Sequence, residues 1–150
     1  MILNTLQTIK RIGLKNSLLS IYKRIYYKIL RKKYNFDAWH ASSPIESKPY
    51  KRQVIELINE YSKSNILEIG CGLGEILAEL KSPNRVGVDY DKEVINAANH
   101  LFGKNITFLD HDFNNIDSID LPFKEIDFLL LINWTHEMPW SNIEKKINLL

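Results

Sequence analysis

A single cysteine, Cys71, stands in the whole chain. That excludes an intramolecular disulfide and a cysteine-based metal cluster, and it fits a reducing cytosol. No apolar run approaches the ~18 residues that a membrane-spanning helix needs. A secretory leader is not expected, because charges interrupt the N-terminal apolar residues and no small-residue cleavage pattern follows. Neither Gly-Lys-Ser nor Gly-Lys-Thr occurs, so the Walker phosphate loop is excluded. The histidines, His40, His100, His111 and His136, lack metal-ligand spacing, and no metal site is expected. His100 falls on an expected helix, in water, and His111 in an expected loop.

Acid is missing from the first 36 residues, which hold nine of the chain's 20 basic residues. Residues 37–150 keep 11 basic residues against all 18 acidic ones. The overall charge of +2 therefore hides a basic front and an acidic remainder. At 45% hydrophobic, 150 residues suit one compact domain that buries roughly two-thirds of its unfolded surface.

What is present is concentrated in ILEIGCGLGEIL, Ile66 to Leu77. A short apolar run ends in Gly70, Gly72 and Gly74, and an amphipathic stretch follows, which reads as strand, tight turn and helix. Glycine lets a ligand approach bare backbone. Glu68 sits two residues before Gly70, and Asp89 closes the next apolar run, VGVD. An acid at that distance is placed to accept hydrogen bonds from ribose hydroxyls. An adenosine-containing ligand is expected. The dinucleotide fingerprint G-x-G-x-x-G fails, because Glu75 stands where its last glycine belongs and would oppose a pyrophosphate at the helix start.

The pattern E-x-G-x-G-x-G resembles motif I of class I S-adenosylmethionine-dependent methyltransferases at all four marked positions. That cofactor carries no phosphate, so Glu75 is tolerable. The resemblance continues through VGVDYD, ITFLDHDF and IDFLLLIN. It implies that Glu68 helps hold the methionine ammonium. It places Asp89, with Tyr90 beside it, at the ribose, and Asp112, with Phe113, at the adenine. Gly70, Cys71, Gly72 and Gly74 would form the cofactor turn, Cys71 lending backbone rather than a reactive thiol. Asn133 borders the transfer site. His136, in NWTHEMPW, is either a general base or a structural loop histidine. Asp89 and Asp112 also have plainer readings, as a helix cap and a loop acid, although Asp91 is the better cap.

The coarse order of elements follows. Residues 16–33 predict a basic amphipathic helix, with Leu18, Ile21, Tyr22, Ile25 and Ile29 on one face. That helix lies on an anionic membrane surface or packs on its own domain with its charges in water. Nucleic acid is not expected, since no reader motif accompanies the charge. Tyr34 to Tyr50 is a linker whose Trp39 and His40 are candidate acceptor contacts, with Trp39 also read as an anchor. Residues 1–49 are thus an extension and linker, and residues 50–150 the cofactor domain. Lys51 to Tyr61 predicts a helix. Strands are expected at 66–69, 86–89, 106–109 and 126–132, and helices at 75–82 and 92–102, the second ending at Gly103. Ser141 and Glu144 predict a capping box that opens a helix at 142–150.

This alternation predicts an α/β, doubly wound, Rossmann-like parallel sheet. The resemblance implies the order 3-2-1-4. The family sheet continues past its fourth strand, so a partner or a further segment is expected along the open edge of strand 126–132. The expected activity is methyl transfer from S-adenosylmethionine to a small-molecule, saccharide or lipid-linked acceptor. It would take place in the cytoplasm, at a membrane surface if the basic segment engages one. The rival readings are a non-catalytic binding module and an aminopropyltransferase. The second needs acids past the fourth strand, where only Glu137 stands.

Overall fold

The computed structural model describes residues 10, 13–41, 44–61, 64–135 and 138–150. Helix α1 spans Leu14–Tyr34, a 3-10 helix Ile45–Ser47 follows, and α2 spans Pro49–Asn59. The sheet then alternates with helices: β1 Asn65–Ile69, α3 Glu75–Glu79, β2 Asn84–Asp89, α4 Lys92–Phe102 and β3 Thr107–Asp110. A 3-10 segment, Phe113–Ser118, precedes β4 Phe128–Leu131 and α5 Trp140–Ile147. All pairings are parallel, and the strand order is β3-β2-β1-β4. The expected 3-2-1-4 sheet is the observed one.

Alternating side chains of the central strands feed two cores, as the two-residue period of a strand requires. Ile66 packs with α2, α3 and α4 through Ile58, Ile76, Leu77, Ile95 and Ala98. Leu67 and Ile69 point the other way and pack with Val86, Val88, Phe113 and Ile116. Strand β4 contributes to both, with Leu130 on the first face and Leu129 and Leu131 on the second. On the second face α5 lies beside the 3-10 segment, where Lys146 reaches the Asn114 carbonyl and lies 3.5 Å from Asp117.

Local chemistry explains most element ends. Asp91 caps α4, accepting from the Glu93 and Val94 N–H groups at 3.0 and 3.1 Å. Gly103 closes that helix as expected, but in right-handed rather than left-handed geometry. Helix α3 stops at Glu79, short of the expected residue 82. Arg85 Nη1 donates to the Leu77 and Leu80 carbonyls at 2.9 and 2.8 Å, holding that end. Pro83 further disfavours helix at the residue before it. Helix α5 starts at Trp140, two residues early. The Pro139 carbonyl accepts its first N–H groups, and the expected capping box does not form, because Ser141 is already helical.

Helix α1 does not pack on its domain through its apolar face, which was one of the two arrangements expected of it. It buries Ser17, Ser20, Tyr27 and Leu30, and leaves Leu18, Ile21, Tyr22, Ile25 and Ile29 exposed. The two serines allow close approach, and Leu30 joins Phe36, Ala41, Leu73, Val94 and Ala97 in a separate core beside α4. Linker residues Phe36, Ala41 and Ile45 are buried, so they anchor the linker, whereas Trp39 is exposed.

Candidate functional site

Strand β1 ends at Ile69, and the chain turns at once. The Gly70 and Cys71 N–H groups both donate to the Val88 carbonyl, at 2.8 and 3.0 Å. Gly70, Gly72 and Gly74 all have left-handed φ, at 71°, 55° and 74°. Three such residues in alternation reverse the chain, so that only five residues separate β1 from α3. The backbone there is not bare, as the sequence had suggested. A Cβ on Gly70 would lie 2.5 Å from Trp134 Nε1, and one on Gly72 would meet the His40 ring at 3.1 Å.

Beside this turn lies a cavity of about 690 Å³. That volume suits a small ligand, since binding pockets run roughly 300–1,000 Å³. Of the residues expected at the cofactor, Glu68, Gly70, Cys71, Gly72, Asp89, Tyr90, Asp112, Phe113 and Asn133 line it. Gly74 does not: it sits behind the wall, where a Cβ would strike the Phe108 ring at 2.5 Å. His136 lies outside the described residues. Trp39 and His40 of the linker are also at the wall.

The wall is rich in carboxylates. Asp89 ends β2, its Oδ2 accepting from the Gly72 N–H at 2.9 Å and its Oδ1 from the Asp91 N–H at 3.1 Å. Burial raises the Asp89 carboxyl above its usual range, against the pull of those two bonds and of His40. A carboxylate offers about four acceptor positions, so capacity for ligand hydroxyls remains. Glu68 is deeper. Burial pushes its carboxyl up to about 8, opposed by Lys51 and reinforced by Asp89 and Glu75. Among the described residues its Oε2 is buried without a hydrogen-bond partner. Such a group is costly unless something later pairs with it.

Asp112 caps the 3-10 segment, accepting from the Asn114 N–H at 2.8 Å. Phe113 stands edge-on to Trp134, with ring centres 5.0 Å apart. Trp134 Nε1 donates to the Ile69 carbonyl at 2.5 Å. Asn133 has a left-handed φ of 66° and its amide meets the Tyr50 hydroxyl. Burial, then Glu68 and Asp89, push the Cys71 thiol up, so it stays protonated and unreactive.

Several wall residues escaped the sequence reading. Tyr50 and Lys51 come from the first turns of α2, and Trp134 from the loop after β4. Glu75, read only as an obstacle to phosphate, accepts from the Tyr27 hydroxyl at 2.6 Å and lies 3.4 Å from Lys23 Nζ. Lys23 also pairs with buried Glu46 at 2.7 Å. Only tertiary packing of α1 brings these groups together, and no spacing in the sequence encodes it.

The sequence profile described as a methyltransferase domain matches residues 66–149, more than half of the chain. The chain belongs to the methyltransferase-domain family. Membership carries with it the cofactor read from the sequence, S-adenosylmethionine. Solved structures with the same fold include the N-methyltransferase NodS from Bradyrhizobium japonicum WM9 in complex with S-adenosylhomocysteine. That comparison gives 18% identity and a TM-score of 0.58, over 82% of this chain and 64% of that one. A protein from Pyrococcus horikoshii OT3 gives 17% identity and 0.57, over 75% and 58%. The magnesium protoporphyrin IX methyltransferase ChlM from Synechocystis PCC 6803, with bound S-adenosylhomocysteine, gives 11% and 0.51, over 89% and 65%. At these identities the likeness is one of fold. The chain spans less than two-thirds of the length of each. No curated protein sequence matches it.

The wall chemistry fits the family cofactor. S-adenosylmethionine carries a sulfonium and an ammonium, and Glu68, Glu75 and Asp89 line the cavity. A dinucleotide would bring a pyrophosphate to the same carboxylates, which repel it.

Proposed function

We propose that the chain binds S-adenosylmethionine and supports methyl transfer to a small-molecule, saccharide or lipid-linked acceptor. The observation that carries this reading is the buried Glu68 Oε2, unpartnered at the wall of a carboxylate-lined cavity. An ammonium group supplies the hydrogen bonds and charge this oxygen lacks. Asp89, fixed by two backbone N–H groups, accepts from the ribose hydroxyls. Asp112 and Phe113 take the adenine, one by hydrogen bonding and the other by ring contact.

The cofactor supplies a methyl group on a positively charged sulfur. The protein's task is then to orient the acceptor in line and exclude water. Asn133 and Tyr50 line the cavity, and Trp39 and His40 line it from the linker. The acceptor's nucleophilic atom would take the methyl group in place of its proton, which would pass to a base. His136 is the candidate for that proton. The acidic wall favours an acceptor that is neutral or cationic.

The test is transfer of a labelled methyl group from S-adenosylmethionine to fractionated cell extract. Label appearing in a small-molecule or lipid fraction supports the reading. Cofactor binding without label in any fraction replaces it with the non-catalytic module.

A further inference from the structure

Helix α1 turns an apolar stripe to solvent. Leu14, Leu18, Ile21, Tyr22, Ile25 and Ile29 are each between 49% and 64% exposed. At 3.6 residues per turn they fall on one side of the helix, over a length of about 22 Å. The buried residues Ser17, Ser20, Tyr27 and Leu30 fall on the opposite side. Exposed cations flank the stripe: Arg24 and Lys28 along one border, Lys15 and Lys33 along the other, and Lys32 at its end. The helix contains no acid.

We propose that this face of α1 lies on an anionic lipid surface, with the stripe in the acyl–headgroup boundary and the lysines and arginines among the headgroups. Charge complementarity selects this occupant. A second copy docked on the same face would set these cations against their own images, and so is repelled. An anionic membrane pairs with all of them. The geometry agrees: the acidic body, 18 acids against 11 bases over residues 37–150, is held on the far side of the helix, away from like charge. Lys23 is already engaged inward by Glu46 and Glu75. The lipid-facing helix therefore reaches Glu75, a residue of the cavity wall, through its other side.

The test is co-sedimentation of the full chain with vesicles of phosphatidylcholine alone and of phosphatidylcholine mixed with phosphatidylserine. Two double variants accompany it: Leu18→Gln with Ile25→Gln, and Arg24→Gln with Lys28→Gln. All four positions are exposed, so folding is spared, and titration with S-adenosylhomocysteine checks that separately from lipid binding. The wild type should sediment with the anionic vesicles and far less with the neutral ones. Each double variant should lose about tenfold or more in partitioning. Absence of vesicle binding, equal binding to both vesicles, or unchanged partitioning in either variant overturns the proposal. So does a wild-type dimer in solution that Leu18→Gln with Ile25→Gln converts to a monomer.

Discussion

Glu68 combines two demands that pull against each other. With its carboxyl raised to about 8 in the folded protein and near 4.5 as an ordinary glutamate, the folded state holds the extra proton between those values. Stability therefore falls as pH rises through that window, because ionising Glu68 costs the native state. Glu68→Gln removes the dependence. Its melting temperature should exceed that of wild type near pH ~8 and match it near pH ~4.5, as followed by thermal melts across pH. The same variant should bind S-adenosylhomocysteine about tenfold or more weakly, since the ammonium, which favours the ionised form of Glu68, loses that partner. A variant that binds as tightly as wild type removes Glu68 from the site. Gly70 is the second sensitive residue. An added methyl strains a φ of 71° and drives into the Trp134 ring. Gly70→Ala should cost on the order of 1–3 kcal/mol in denaturant unfolding. An unchanged midpoint would show that the indole moves aside freely.

Helix α1 is where element-level packing matters most. Its tie to the cofactor cavity is the Tyr27 hydroxyl on Glu75, and burial beside that carboxylate raises the phenol far above its usual range. Tyr27→Phe leaves a buried carboxylate short of one donor, with Lys23 and the Ile45 N–H remaining at 3.4 and 3.3 Å. The loss should be roughly 1.5–3 kcal/mol by chemical denaturation, as for hydrogen bonds to charged groups. No loss would mean that the helix is held by its apolar contacts alone. This helix also marks the limit of pattern reading. Its periodicity foretold its existence and span well, yet the apolar face went outward. The inner face carries two small buried serines, and one tyrosine hydroxyl and one lysine tie it to Glu75, some 50 positions away. By contrast β1, β2 and α4 were legible because their signals are local: apolar runs closed by glycine or aspartate, and an aspartate cap. Helix α3 was overestimated because its end depends on Arg85, which lies in the next strand.

Among the described residues the molecule is a four-stranded parallel sheet whose cavity lies at the carboxyl ends of β1 and β2, beside the β1/β4 junction where the strand order reverses. That placement gathered nine of the ten expected cofactor residues on one cavity wall, with Gly74 alone displaced behind it. The motif spacing was informative because each motif follows a strand, and parallel register brings strand ends together. The residues that spacing could not find, Tyr50, Lys51 and Trp134, reach the cavity from a preceding helix and a late loop. The central claim is that this wall holds an adenosyl sulfonium ligand through Asp89. Calorimetric titration with S-adenosylhomocysteine, on wild type and on Asp89→Ala, tests it most directly. The account predicts saturable binding by wild type and a loss of about a hundredfold or more in the variant, since two hydrogen bonds to a charged group are worth about 3–6 kcal/mol. Equal affinity in the two proteins, or no binding by a folded wild type, would contradict it.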